Sequence, residues 1–226
     1  MNKSEHQNRH VGLNMDFSQP LFIETTKLLW EKSPMGGVER RKLERQFAET
    51  GHTTSIVRYA PKSYFSAHTH SGGEEFYVLE GVFSDDTGNF PRGAYVRNPS
   101  GSTHTPYSDE GCTIFVKLCQ MQANGEPQIN IDTNRGSWQP KETGWFIMPL
   151  FENAKETVQL NKLLPNAAFK NGYFIGGLEF LLLEGDFAVN GEGCSQFTWG
   201  RFPSTSAVSL ASTNGCIFWS KQKHLP

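Results

Sequence analysis

The feature that most constrains the fold of this chain is an internal repeat. Pro61 and Pro165 open two similar segments 104 positions apart, and this one offset aligns the residues after them without a gap. The matched residues include Gly72, Gly73, Glu75, Phe76, Gly81, Arg97, Pro99, Cys112 and Lys117, which meet Gly176, Gly177, Glu179, Phe180, Gly185, Arg201, Pro203, Cys216 and Lys221. An offset kept over such a span predicts two copies of one structural unit.

Each copy reads as an all-β unit. The chain has 226 residues, with 22 glycines and 12 prolines that break it into short apolar runs, a pattern typical of a small barrel or sandwich. We therefore predict a flexible N-terminal segment (1–20), a first barrel (21–122) and a second barrel (123–226). We expect the connector between the two barrels to span 118–137, across this boundary, because that segment is rich in turn residues.

Several strands of the first copy can be placed from their apolar and β-branched residues. The predicted strands are Ser55–Tyr59, Glu75–Leu79, Ala94–Arg97 and Thr113–Val116. The segment Val38–Glu49 is charged, and we predict an edge strand there. Residues Ser84–Pro91 are rich in Asp, Gly and Asn, which predicts a turn between two strands.

Composition excludes some classes of function. The formal net charge is −2, so no basic excess is available to hold a nucleic acid or an anionic membrane surface. The polar stretch Met1–Leu13 lacks the apolar core of an export signal, and we expect a cytoplasmic protein with no membrane segment. The four cysteines show no C-x-x-C spacing, and we interpret them as structural.

Four residues of the first copy have the chemistry and spacing of metal ligands. His68 and His70 lie two apart, so on a strand their side chains face the same way. Glu74 can return to that face after a glycine turn, and His104 can close the set from a distant strand. Three imidazoles and one carboxylate suit one divalent ion per chain: zinc, iron or nickel first, with manganese or cobalt as further options.

The second copy serves as an internal control for this assignment. At the 104-residue offset, the positions of His68, His70, Glu74 and His104 are taken by Gly172, Phe174, Leu178 and Val208. All four ligand candidates are lost together, although the surrounding glycines, prolines and aromatics are kept. A metal site needs all of its ligands, so their joint replacement is the expected result where no metal binds. The replacing residues predict an apolar centre for the second barrel.

The same comparison separates two adjacent acids. Glu75 persists as Glu179 where no imidazoles exist, so we assign Glu75 to structure and Glu74 to the metal. Arg97 persists as Arg201, and we hypothesise equivalent ion pairs, Glu75 with Arg97 and Glu179 with Arg201.

Other positions are candidates for substrate contact. Tyr64 and Tyr107 become alanines in the second copy, so they are lost with the ligands. Phe76 and Val78 are expected to line the barrel and can form pocket walls. The second barrel is interpreted as a structural or dimer-forming partner, with an apolar ligand as the alternative.

Together these residues resemble a known family. The spacing H-x-H-x3-E-x6-G from His68 to Gly81, followed by G-x5-P-x-G-x2-H from Gly93 to His104, is similar to the two cupin motifs. The wider strings, residues 72–86 and 97–104, resemble the cupin domain of ChrR-type anti-sigma factors, and more distantly the acetylacetone-cleaving dioxygenases. The resemblance implies two tandem cupin (jelly-roll) barrels. ChrR proteins also carry a sigma-binding zinc domain with a His-x3-Cys-x2-Cys pattern, and since no cysteine precedes Cys112 we do not expect anti-sigma activity.

The resemblance leaves three functions open. The first is a metal-binding bicupin that senses or acts on a small molecule or oxidant, with a separate protein partner if it signals. The second is a mononuclear non-haem dioxygenase acting on an enolisable carbonyl compound. The third is a structural bicupin with a vestigial site. The resemblance also implies a homodimer.

Overall fold

The computed structural model describes residues 12–47, 50–121 and 126–225, and nearly all of its regular structure is antiparallel β-strand. The strands of the first half are β1 (Leu21–Glu24), β2 (Glu31–Lys32), β3 (Val38–Arg45), β4 (Thr53–Tyr59), β5 (Ser63–Tyr64), β6 (His68–Thr69), β7 (Glu74–Asp85), β8 (Gly88–Pro91), β9 (Ala94–Asn98), β10 (Thr103–His104), β11 (Tyr107–Ser108) and β12 (Cys112–Leu118). Those of the second half are β13 (Ile129–Asp132), β14 (Gln139–Glu142), β15 (Trp145–Glu152), β16 (Thr157–Leu163), β17 (Ala167–Tyr173), β18 (Leu178–Gly185), β19 (Phe187–Val189), β20 (Glu192–Cys194), β21 (Thr198–Phe202), β22 (Ala207–Ser212) and β23 (Cys216–Gln222). The all-β prediction of two jelly-roll barrels is confirmed.

The described residues contain only two helical turns, both of the 3-10 type. They are Thr25–Lys27 and Thr133–Arg135. Within these described ranges no helix has the length and apolar character that crossing a membrane requires.

Strand β7 shows how the sequence builds two packed faces. Phe76 and Val78 point into the core of the first barrel, whereas Tyr77 and Leu79 join a core shared with the second barrel. Because both faces are buried, the strand reads as a continuous apolar run rather than an alternating one. The four strands predicted in the first copy are all confirmed.

The two large sheets are built alike and exchange their outermost strands. Their orders are β13-β9-β7-β12-β4-β3-β2 and β1-β21-β18-β23-β16-β15-β14. Strand β1, placed in the first barrel by the division at residue 122, hydrogen-bonds to β21 of the second. Conversely, β13 from the second half pairs with β9 of the first. These two exchanged arms, β1 and β13, each cover a sheet edge that would otherwise offer unpaired backbone groups.

The offset of 104 found in the sequence is also the offset of the strand pairings. His68 lies opposite His104 across β6 and β10, and Gly172 lies opposite Val208 across β17 and β22. The aligned positions therefore occupy equivalent places in the two barrels.

Two local predictions differ from the structure. Most of Ser84–Pro91 is hairpin strand, because β7 runs to Asp85 and β8 pairs back from Gly88 to Pro91. Strand β3 ends at Arg45 and is covered by β2, so it lies one strand in from the edge. Residues 48 and 49 lie outside the described residues.

The described parts of the connector and of the N-terminal segment make backbone and side-chain contacts with the barrels. The connector 118–137 contains β13 and a 3-10 turn, although residues 122–125 lie outside the described part. Of the segment 1–20, residues 12–20 are described. There the backbone of Leu13 bridges to Arg45, and the carbonyl of Asp16 accepts a hydrogen bond from Arg201.

Charged residues between the barrels are paired reciprocally. Lys117 of the first barrel donates to both carboxylate oxygens of Glu179 at 2.6 and 2.7 Å, and Lys221 of the second donates to Glu75 at 2.7 Å. All four side chains are buried. Each repeat therefore neutralises the acid of the other.

The hypothesised arginine pairs are correct in one barrel only. Arg97 lies 3.7 Å from Glu75, but its shorter contacts are to Glu126 and Glu156. Among the described residues no ion pair joins Glu179 to Arg201. Arg201 instead pairs with Glu44 of the first barrel, and Glu179 is paired with Lys117.

Candidate metal centre

Backbone geometry brings the four predicted ligands to one end of the first barrel. His68 and His104 face each other across β6 and β10. His70 follows β6, and a tight turn closed by the Gly73 amide donating to its carbonyl leads to Glu74 at the start of β7. Gly73 has a φ of +74°, and a Cβ there would lie 2.4 Å from the sulfur of Met121. Only glycine fits this turn without displacing its neighbours.

The side chains converge as ligands of one ion would. The ligand atoms of His68, His70 and His104 lie within 4.8 Å of one another. His70 Nε2 and His104 Nε2 are 2.9 Å apart, and Glu74 Oε2 lies 3.5 Å from each of them. Nitrogen and oxygen ligands about 2.0–2.2 Å from one ion are themselves roughly 3–3.5 Å apart. The residues present therefore fit a divalent metal ion.

Outer hydrogen bonds fix two imidazoles with their Nε2 lone pairs toward the centre. His104 Nδ1 donates to Asp85 Oδ2 at 2.9 Å, and His68 Nδ1 donates to the carbonyl of Ser66 at 3.0 Å. Because the Nδ1 atom of each ring carries the proton, Nε2 is left as the electron-pair donor.

Electrostatics at the site reflect burial and nearby carboxylates. Burial lowers the pKa of His70 and outweighs the opposing effect of Glu74. Burial also acts to lower the pKa of His104, but the hydrogen bond to Asp85 and the charge of Glu74 raise it above its ordinary value. Glu74 itself accepts a hydrogen bond from Asn98 Nδ2 at 3.0 Å.

Sequence reasoning missed Asp85 and Asn98. Both lie outside the spacing that singles out the ligands, yet each is replaced by an apolar residue in the second repeat, Val189 and Phe202. The joint loss that identified the ligands would also have identified these two supporting residues.

Replacing Asp85 with asparagine should weaken divalent metal binding by about 10- to 100-fold. The amide lacks the charge that orients His104 and raises the basicity of its ring. Competition against a chromophoric chelator measures the affinity. Asp109→Asn, an exposed acid that accepts from Tyr64, is the matched control and should leave it unchanged. Equal affinities for the two variants would contradict the assigned role of Asp85.

The cluster lies beside a cavity of about 450 Å³. Its lining includes His68, His70 and Glu74 together with apolar walls from Val57, Tyr59, Phe65, Ile114 and Val116. Burial, and secondly the charge of Glu74, raises the pKa of Tyr59 well above its ordinary value, so that wall is a neutral phenol.

The four predicted substrate contacts lie elsewhere. Phe76 and Val78 are buried in the barrel core and do not line this cavity. Tyr64 is 61% exposed, stacks on Tyr107 and donates to Asp109. The cavity wall is supplied instead by Tyr59 and Phe65.

The described residues of the second barrel hold no equivalent polar cluster. Leu178 and Val208 are buried in its apolar core, and Phe174 packs against that core. Within residues 12–47, 50–121 and 126–225, the first-barrel histidines form the one group of three or more potential ligands that converges.

Comparisons with known proteins agree with this description. Residues 18–122 match the model of the ChrR cupin-like domain family. No curated protein matches the sequence. Among solved structures, a "putative dioxygenase" from Nostoc punctiforme superposes with a TM-score of 0.78 at 17% identity, covering 92% of this chain and 84% of that one.

Two further structures share the fold. Salicylate 1,2-dioxygenase from Pseudoaminobacter salicylatoxidans has a TM-score of 0.66 at 13% identity, covering 92% of this chain and 81% of that chain. A bacterial pirin from Escherichia coli, in complex with nickel(II), has a TM-score of 0.68 at 11% identity, with coverages of 92% and 100%. At these identities the likeness shows the fold alone. Residues 18–122 of this chain thus match the ChrR cupin-like domain family, and the described residues of both halves have the cupin fold.

Proposed function

We propose that the first barrel holds one divalent metal ion and uses it to act on a small enolisable carbonyl or carboxylate compound. The observation that carries the proposal is the convergence of His68, His70, His104 and Glu74 at the wall of a cavity large enough for such a compound.

The four ligand residues have distinct roles. His68, His70 and His104 supply neutral nitrogen donors, and Glu74 supplies one negative charge that lowers the net charge of the site. A divalent ion bound there acts as a Lewis acid that polarises and orients substrate oxygens.

The cavity favours a compound with an apolar body. Val57, Ile114 and Val116 contribute hydrocarbon walls, which exclude water from a bound substrate. Arg40 and Arg45 also line the cavity.

A second candidate function is a sensor, supported by the match to the ChrR cupin-like domain. In that case the site binds a small molecule or oxidant, and the barrels transmit the event to a separately encoded protein partner. The homodimer expected from the resemblance is part of this proposal, since a signalling cupin would present a symmetric surface to its partner.

One experiment separates the two functions. Protein purified without chelators is analysed for metal, and oxygen uptake is then measured with a panel of β-diketones and short keto and hydroxy acids. Iron with substrate-dependent uptake supports the enzyme. Zinc without turnover, but with ligand-induced thermal stabilisation, supports the sensor. Protein that binds no divalent metal at all would contradict both functions and would favour a structural bicupin with a vestigial site.

A further inference from the structure

The second barrel keeps a cavity at the place where the first barrel has its metal site. Its volume is about 590 Å³. At the 104-residue offset, its lining residues Phe169, Leu210, Gln222 and Lys223 correspond to Phe65, Pro106, Leu118 and Cys119, which line the metal cavity. The second barrel has therefore lost its metal ligands without filling the space they served.

The interior of this cavity is apolar. Gly172, Phe174 and Val208 stand at the three histidine positions and line the cavity. Trp145 lies in the wall beside them, and its indole nitrogen is already satisfied by Asn161 at 3.1 Å. Trp145 is 4% exposed and packs behind Phe169, so the half-buried rings of Phe169 and Phe174 supply the accessible aromatic surface.

The rim of the cavity is cationic. The lining contains three lysines, Lys141, Lys170 and Lys223, and one acid, Glu142. Lys223 is held by Glu152 at 3.2 Å. Lys141 lies with its Nζ 3.9 Å from the ring centroid of Trp145, so an ammonium group sits directly above the apolar wall. Across the described residues, neither Lys141 nor Lys170 has a carboxylate within salt-bridge distance.

Large apolar side chains stand exposed at the same mouth. Tyr173 is 68% exposed and Ile175 is 85% exposed, and both line the cavity. An apolar compound entering the cavity would cover them and remove their surface from water. Cationic groups beside apolar walls in a cavity of this size fit an anion with a hydrocarbon body.

We propose that the second barrel binds a small monocarboxylate with an aromatic body, and that it does so without a metal ion. The carboxylate lies between Lys141 and Lys170, and the ring packs against Phe169 and Phe174. The two barrels then bind ligands by different chemistry at equivalent places, one through a metal and one through ammonium groups and aromatic contact.

Calorimetry with 1-naphthoate as the probe tests this proposal. The full chain is titrated as purified, and 1-naphthylmethanol serves as the neutral probe of matched shape. We expect 1-naphthoate to bind more tightly than the alcohol, and its affinity to fall as salt is added, because salt screens the ammonium groups. Equal binding of the two probes would overturn the proposed recognition of the carboxylate.

Two pairs of variants locate the binding site. The double variant Lys141→Met and Lys170→Met should weaken 1-naphthoate about fivefold or more, whereas Lys32→Met, an exposed lysine of the first barrel, should not. The double variant His68→Ala and His104→Ala removes metal ligands and should leave 1-naphthoate binding intact. Loss of binding in the histidine variant, or unchanged binding in the lysine variant, would place the probe in the first barrel or elsewhere and refute the proposal.

Discussion

Replacing Lys117 with methionine should lower the free energy of unfolding by about 3–5 kcal/mol. The ammonium group is buried and donates to Thr54 as well as to both oxygens of Glu179. Burial by itself raises the pKa of Glu179, but Lys117 and His224 outweigh it and hold that pKa well below its ordinary value. Removing Lys117 leaves a buried carboxylate without its main counter-charge. Denaturant unfolding followed by tryptophan fluorescence measures the change.

An exposed ion pair between the same two barrels provides the control. Arg92 donates to Glu184 at 2.6 Å, but the two side chains are 62% and 53% exposed. Arg92→Met should therefore cost less than about 1 kcal/mol. The double variant Lys117→Met and Glu179→Gln should be more stable than Lys117→Met alone, because it removes the stranded charge. A cost for Lys117→Met as small as that for Arg92→Met would show that Glu179 is neutralised by other groups.

The repeat in the sequence predicted that these charged residues matter, but not how they pair. Glu75 and Lys117 recur as Glu179 and Lys221, so the acids and the lysines are clearly related by the offset. A repeat of this kind is equally compatible with pairing inside each barrel and with exchange between barrels. Only the packing of the two sheets decides between them.

The exchanged arms could not be predicted for a similar reason. Strand β1 (LFIE) and strand β13 (INID) are four-residue segments with ordinary strand sequences. Their hydrogen-bond partners are open sheet edges, and an edge accepts any extended segment that reaches it. The choice between the near edge and the far edge depends on the path of the preceding chain, which local pattern does not record.

The metal site was far more predictable because its geometry is local. A spacing of two along the chain and a glycine turn bring His68, His70 and Glu74 together, and the facing strand adds His104. The outer contacts were harder, since Asp85 lies at the far end of β7 from Glu74 and Asn98 lies at the end of β9. Replacement in the second repeat does not by itself identify a cavity residue. Tyr64 and Tyr107 are both replaced there, yet they stack on each other and do not line the cavity.

Replacing His104 with alanine should lower divalent metal affinity by about 100-fold or more. The variant removes one of three convergent nitrogens and also strands Asp85, whose carboxylate accepts from His104 Nδ1. His104→Gln keeps a polar side chain of similar length and loses the imidazole, so it should show a similar loss of affinity with less damage to the fold. Chelator competition with zinc and with nickel measures the affinity.

The matched control is His52→Ala. His52 is an imidazole of the same barrel that contacts Glu44 at 3.0 Å, and it does not belong to the convergent group of His68, His70 and His104. Its loss can affect stability through Glu44, but it should leave the metal affinity unchanged. If His52→Ala and His104→Gln weakened metal binding equally, the ion would be held by scattered histidines rather than by one site. A loss confined to the His104 variants, with one ion per chain in the unmodified protein, is the result expected from the geometry of the first barrel.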